Sequence, residues 1–415
     1  MKSNNGHFDV IVVGGGASGM MAAGRAAERG KRVLLIEKNK LLGEKLRISG
    51  GGRCNITNAE YDVHALLGKY GSAEHFLYSP FSQYGVEDTF SFFERLGLPL
   101  VVQARKRAFP NTEKANDVCE ALKAYMKKSG VTIQANSAVK KILHDGTRVT
   151  GVATAAGTFT AESYILATGG MSHPETGSTG DGFGWLSDLG HTIKKPTPTI
   201  VPISVSDSWV HMLSGTSLSF MKITFFLEGV KQFSKTGKVL FTHFGLSGPL
   251  ILNSAGKIGG LLEGGQVTAR IDAYPDTDIG ALDKSITKIF DASKNKMLKN
   301  IFKEVVPEGI APGVMSLLPD IDFDTKVHSI TKEERRRIVD TLKALPVHVT
   351  GLMGYDRAVV ADGGIVLDEI DTKTMRSKLF SNLAVTGDLL HITRPSGGFS
   401  LQLCWTTGYV AGSNA

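Results

Sequence analysis

Cysteine is scarce in this chain. The 415 residues contain three, Cys54, Cys119 and Cys404, set far apart. Such spacing makes neither a disulfide framework nor a tetrahedral metal site, so no metal is expected. No C-x-x-C pair offers a dithiol, and a reducing compartment is the plain reading. Long hydrophobic runs are missing as well. The opening M-K-S-N-N-G-H-F-D is polar, and the run Val10–Val13 is far too short for a signal-peptide core or a membrane span. The expectation is a cytoplasmic protein with no membrane partner. A strong charge bias is also absent. Lys plus Arg number 47 against 40 Asp plus Glu, a net +7 that permits a polyanionic partner without demanding one. There is no internal repeat and no low-complexity tract.

What is present is a globular balance, 42% apolar and 21% charged. A chain of 415 residues exceeds what one core usually holds, so two or three domains are expected. Phe8–Val13 is a short apolar run that suits a buried parallel strand. Gly14-Gly15-Gly16-Ala17-Ser18-Gly19 follows, then a small-residue helix closed by Gly30, then a second apolar strand, Lys31–Ile36, ending at Glu37. This is one complete strand–helix–strand unit. Val118, Leu122, Tyr125 and Met126 mark a further helix ended by Gly130, and 131–168 reads as strands leading to Thr168-Gly169-Gly170. Three prolines between Pro196 and Pro202 mark a crossing point. Beyond them the chain is strand-rich to about residue 275, with hairpin turns expected at Glu228-Gly229 and Thr236-Gly237. Residues 279–345 read as helical and basic, with six lysines and one acid, Asp291, in Lys284–Lys303. Strand-like sequence returns after 346. The pattern is a nucleotide-binding domain interrupted by an insertion, with boundaries at 1–195 plus 346–415, 196–278 and 279–345.

In Gly14-x-Gly16-x-x-Gly19 the first glycine permits a tight turn. The second lets a pyrophosphate approach the backbone, and the third lets helix and strand pack closely. Free N–H groups at the helix start meet phosphate charge. Glu37 stands where a carboxylate accepts from a ribose diol, which argues against a 2′-phosphate and hence against NADP here. No second G-x-G-x-x-G follows a strand. A permanent NAD(P)H domain is therefore not expected, and any NAD(P)H would visit transiently.

The set V-G-G-G-A-S-G-M, L-L-I-E-K, K-L-R-I-S-G-G-G-R-C-N-I-T-N, A-T-G-G and T-G-D resembles the two-dinucleotide-binding-domain flavoproteins. More closely, the chain resembles the BaiN/YhiN-type, aminoacetone oxidase-like family of bacterial FAD-dependent oxidoreductases. P-E-T-G-S-T-G-D-G at 174–182, F-T-H-F-G-L-S-G-P at 241–249 and T-M-R-S-K at 374–378 extend the resemblance over essentially the whole chain. The resemblance implies an α/β fold: a Rossmann-like FAD-binding domain built from both chain ends, with a β-rich insertion domain and a small helical subdomain. It places FAD on Gly14, Gly16, Ala17, Ser18 and Gly19 at the pyrophosphate, and on Glu37 with neighbouring Lys38 at the adenosine ribose. Val139 would lie near adenine. Lys45, Ser49, Gly50, Gly51, Gly52, Arg53, Cys54 and Asn55 would run along the cofactor, with Thr168, Gly169 and Gly170 close by. Gly387 and Asp388 would meet the ribityl or phosphate region, and Gly397, Gly398, Phe399 and Ser400 the flavin ring. The sequence departs from the family pattern at Asp388, where Glu is expected, and at Gly397–Ser400, where Gly-Gly-Tyr-Asn is expected. Leu390–Pro395 replaces an acidic stretch.

For chemistry, Cys54 offers a thiol, though a lone cysteine in a packed glycine loop is most often a small buried group. His243 reads first as a structural histidine. His391 and Arg394 form a basic pair just before the flavin-facing glycines, suited to an anionic substrate or a reduced flavin. The implied activity is reduction of a carbon–carbon double bond, with uridine in ribosomal RNA as one substrate and a small enone as another. Oxidation of a small amine, or a flavin-binding assembly or sensor role without turnover, are the alternatives. The lysine-rich segment would be the RNA footprint.

Overall fold

A computed structural model describes residues 7–415. The chain forms two compact units, one from the residues up to Thr197 together with Val359–Ala415, the other Pro198–Ala358.

The first unit is built on a five-stranded parallel sheet. Its strands are β1 (Phe8–Val13), β2 (Val33–Ile36), β3 (Thr132–Gln134), β4 (Ala161–Leu166) and β5 (Leu383–Val385), in the order β5-β4-β1-β2-β3. Val10–Val13 and Val33–Ile36 are buried at every position, as continuous apolar strands covered on both faces must be. Helix α1 (Ala17–Glu28) follows β1, α2 (Ala115–Lys128) precedes β3, and α3 (Phe399–Ser413) follows β5. Helices α1 and α3 meet backbone to backbone. A Cβ on Gly408 would lie 2.4 Å from the Ser18 carbonyl oxygen, and one on Gly412 2.4 Å from that of Ala22. A small sheet, Thr57–Asn58 with Arg107–Pro110 and Leu100–Gln103, and an antiparallel meander over 139–159 complete the unit.

The second unit is a closed six-stranded antiparallel barrel. Leu345–Leu352 closes it by pairing with both Ile203–Val205 and Val267–Asp272. Two sequence boundaries shift in consequence. Residues 346–358 belong to this unit because they carry the closing strand. The helices over 279–345 share one hydrophobic core with the barrel, Leu282, Ile286, Phe302, Ile338 and Leu342 joining Leu345 and Val347. Glu228-Gly229 is a hairpin turn, but Thr236-Gly237 lies within the strand Val230–Thr242, where Thr236 pairs with Lys222. Glycine fits there because Leu250 packs over it.

Among the described residues, no helix is long and apolar enough to cross a membrane, and no group of His, Cys, Asp or Glu could hold a metal ion.

Candidate FAD site

The three glycines of the first turn divide by what surrounds them. Gly14 has φ 108°, and a Cβ on it would lie 2.5 Å from the Ala167 oxygen. A Cβ on Gly19 would lie 1.9 Å from the Gly14 oxygen. Both are needed for packing. Gly16 has nothing within 4 Å of such an atom. It caps α1 without any side-chain hydrogen bond, so the N–H groups of the first turn stay free toward that open side. This is the surface a pyrophosphate requires. Ser18 serves differently from expectation: its hydroxyl is buried and accepts from Thr386 Oγ1 at 3.2 Å, leaving only its N–H for phosphate.

Glu37 ends β2, and its carboxylate is held by two backbone donors, Gly15 N at 2.6 Å and Asn39 N at 2.7 Å. Each oxygen keeps a lone pair for a ribose hydroxyl. The Ser137 N–H donates to the Glu37 carbonyl at 2.9 Å, which brings the segment before Val139 to the same end of the sheet. Lys38 points away from this role. Its ammonium donates to Thr179 Oγ1 at 2.6 Å and pairs with Asp181 at 2.8 Å. Asn39 adds a bond to the Thr176 carbonyl at 2.9 Å. Together they pin the P-E-T-G-S-T-G-D-G segment beside the ribose end, a job sequence reading did not assign to Asn39.

Ser49–Gly52 forms a tight turn in which Gly50, Gly51 and Gly52 all have positive φ. Gly51 and Gly52 face open space, and the Cys54 N–H donates to the Ser49 carbonyl at 3.0 Å. Ser49 Oγ is spent on the Leu46 carbonyl. Cys54 is fully buried, and that burial pushes its thiol up to about 12. A neutral, enclosed thiol is neither nucleophile nor electron relay, so the catalytic reading of Cys54 does not fit its surroundings. Peptide mapping after iodoacetamide treatment of the native protein at pH 8 should find Cys54 unmodified, and modified once the chain is unfolded. Labelling in the native state would return it to the chemistry.

Arg53 is also drawn elsewhere. Its guanidinium donates to Gln103 at 2.6 Å and Glu113 at 2.7 Å and stacks over Phe109 at 4.2 Å. Its Nε, together with Asn55 Oδ1, Thr168 Oγ1 and His391 Nδ1, is buried with no hydrogen-bond partner. Orphaned polar atoms are costly, and these, three at expected cofactor contacts and His391 at the expected chemistry, mark valences that a flavin's polar edge would satisfy. Gly169 has φ 76°, and a Cβ on Gly170 would approach the Asp388 side chain at 3.4 Å, so Thr168–Gly170 run beside the Asp388 loop.

The C-terminal motif differs most from expectation. His391 and Arg394 are not an exposed basic pair. Arg394 is 4% exposed. Its Nε donates to Ser400 Oγ at 3.0 Å, one Nη to the Ile392 carbonyl at 2.7 Å, and the other pairs with Asp388. Ser400 thereby braces Arg394. Lys45 Nζ stands 3.4 Å from Asp388 and 3.2 Å from Ser172 Oγ. Burial alone would raise the Asp388 pKa, but Arg394 and then Lys45 outweigh it and hold the carboxyl below its ordinary value. Gly387, at φ 63°, sits against Ser18 and donates to Thr407 Oγ1 at 3.0 Å. Gly397 and Gly398 have φ 123° and 102°, and a Cβ on Gly398 would strike the Thr57 backbone at 2.3 Å. Phe399 belongs to the core: its ring meets Tyr70 edge-on at 6.0 Å, and its carbonyl accepts from Tyr70 Oη at 2.9 Å. What remains for the flavin here is the N-terminus of α3, which has no side-chain cap.

In the barrel unit, His243 is exposed with its ring against Phe244. The lysine-rich segment is partly neutralised, since Lys294 pairs with Asp291, Lys299 with Asp324 and Arg337 with Asp320. The excess of cations lies in the first unit, with 28 Lys and Arg against 23 Asp and Glu, where the barrel unit has 19 against 17.

A family profile described as "HI0933-like protein Rossmann domain" matches residues 8–414. A 3-dehydro-bile acid delta(4,6)-reductase of Clostridium scindens is 27% identical over 97% of this chain and 98% of its own. A ribosomal RNA dihydrouridine synthase of Haemophilus influenzae is 28% identical over 96% of each chain. Among solved structures, a 3-ketosteroid-delta4-(5alpha)-dehydrogenase of Rhodococcus jostii aligns over 98% of this chain and 96% of that one. Its TM-score is 0.54 at 14% identity, a likeness of fold. The chain therefore belongs to the HI0933-like family of Rossmann-fold, FAD-dependent oxidoreductases.

Proposed function

We propose that this enzyme reduces a carbon–carbon double bond conjugated to a carbonyl, and that the bond is C5=C6 of a uracil in ribosomal RNA. Reduced FAD supplies the hydride when bound. The chain's own residues hold the cofactor along Gly14–Gly19, Glu37, Gly50–Asn55, Thr168–Gly170 and Gly387–Asp388. They aim the free N–H groups at the start of α3 toward the flavin, where they favour negative charge. His391, whose Nδ1 has no partner, is the residue best suited to hold a proton beside the substrate carbonyl. Reducing equivalents arrive from a visiting NAD(P)H or a comparable donor, since no second dinucleotide turn exists in the sequence.

The observation that carries this reading is the absence of a working thiol from a site whose remaining assets are free backbone N–H groups and unpartnered polar atoms. Cys54 is sealed in and would take no part in the hydride chemistry that bound FAD would supply. The names of the two curated relatives support double-bond reduction, and one of them names ribosomal RNA. The purified protein should be yellow and release FAD. Ribosomal RNA from cells lacking it should miss a dihydrouridine that the parent strain contains. An unchanged modification map would overturn the RNA substrate. Turnover of a small enone would then place the reaction on a free molecule, and peroxide formed from amines in air would mark an oxidase.

A further inference from the structure

The small sheet of the first unit carries a feature that the FAD site leaves unused. Leu100–Gln103 and Arg107–Pro110 form a hairpin whose tip is Ala104-Arg105-Lys106. Arg105 and Lys106 both sit in the left-handed region, at φ 62° and 58°. Two successive residues with side chains in that region are strained, and glycine would adopt it freely. Persistent strain of this kind gathers at functional sites.

The tip is fixed beside the flavin-facing glycines. Asn58 is 7% exposed, and its side-chain amide donates both to the Arg105 carbonyl at 3.2 Å and to the Gly397 carbonyl at 3.0 Å. The Ala59 N–H donates to the Lys106 carbonyl at 2.6 Å. One side chain thus ties the hairpin tip to Gly397, two residues before α3. Of the cations around it, Arg53 is paired with Glu113 and Lys106 with Glu60, while Arg107 Nε donates to the Ala104 carbonyl at 3.1 Å. Arg105 is exposed, and among the described residues its guanidinium has no hydrogen-bond or ion-pair partner. Tyr61 follows shortly after Ala59 and is 53% exposed, a ring on which a neighbouring base can stack.

We propose that Arg105 binds a phosphate of the substrate strand next to the base being reduced. This rests on the RNA reading above and adds where the strand is gripped. The tip's backbone conformation aims the fork and Asn58 holds it in register with the flavin-facing glycines. A guanidinium is suited to paired hydrogen bonds with phosphate oxygens.

The test uses the FAD-loaded enzyme and a fluorescent ten-residue oligouridylate, with anisotropy read between 50 and 200 mM salt. Arg105→Asn, which tolerates the left-handed backbone, should bind about tenfold more weakly, with a log–log salt slope shallower by about one. Arg105→Lys should stay within about threefold. Arg105→Gly relieves the backbone and removes the charge, so it should melt no lower than wild type and still bind weakly. Unlabelled UMP should compete better than uridine if the phosphate is what is held, and a longer oligouridylate better than either if the strand is the source. Lys294→Gln with Lys299→Gln should leave binding unchanged. Wild-type affinity and slope in Arg105→Asn and Arg105→Gly would overturn the proposal while leaving the RNA reading intact. No salt-sensitive binding by the wild type would instead remove the RNA reading, and this proposal with it.

Discussion

Replacing Gly19 with alanine should give a protein that no longer retains FAD. The new Cβ would stand 1.9 Å from the Gly14 oxygen, a backbone atom of the turn itself, so nothing flexible can yield. Relief requires α1 to slide away from β1, and overpacking of this kind costs about 1–3 kcal/mol or more. The same slide opens the first helical turn whose N–H groups face the pyrophosphate. Gly16→Ala makes a sharp comparison. Its Cβ enters open space, so the apo-protein should melt within about a degree or two of wild type, the range of a surface change. FAD affinity should nevertheless fall about tenfold or more, because that open side is where the pyrophosphate would approach. Absorbance at 450 nm relative to 280 nm, with thermal melts of both apo-proteins, separates the cases. Stoichiometric FAD in Gly19→Ala would show that the third glycine is not a packing requirement.

Arg394→Met should be the most damaging single change outside the glycines. It leaves the part-buried Asp388 carboxylate with Lys45 as its remaining cation and strips Ser400 and the Ile392 carbonyl of their donor. Breaking one side of a buried pair costs about 3–5 kcal/mol. Asp388→Asn in the same background should recover part of that loss, since the orphaned charge goes with it. The pH response follows from the depressed pKa of Asp388. A carboxyl held below its unfolded value, about 3.9, contributes its full stability above that pH and loses it as the pH falls through the lower folded value. Wild-type melting should therefore carry this group's full contribution, unchanged with pH, between pH 5 and 8, and decline only under stronger acid. Equal melting temperatures for Arg394→Met and wild type at pH 7 would dismiss the brace.

The part of the site readable from sequence is the part built from consecutive residues. A turn, a helix and a strand ending in Glu37 share one local geometry, so glycine spacing predicts which backbone meets phosphate. The left-handed glycines at 50–52 are of the same kind. Where prediction failed, the deciding partner was distant. Arg53 follows the glycine turn, yet Glu113 and Phe109 claim it across a sheet. Arg394 looked free because charge in a loop usually is; its burial comes from the packing of the last helix, and pairing with Asp388 makes that tolerable. Residues 346–358 joined the barrel because its closure needs Ile203–Val205, nearly 150 positions earlier. Arg105 carries no motif at all, and only its backbone angles single it out. Gly408 and Gly412 could have been noticed as G-x-x-x-G, though such a pattern names no partner until α1 is seen against it.

That helix contact also sets an order of events during synthesis. Ser18 and Thr386 are joined by a hydrogen bond across 368 positions. The phosphate turn is thus made long before its neighbours β5 and α3. At roughly 5–20 residues per second, α1 waits on the order of 20–70 s for the helix that packs along it. The barrel unit, continuous from Pro198 to Ala358, has no such wait and can fold while β5 and α3 are still unmade. FAD would therefore meet a completed site only once α3 has been made.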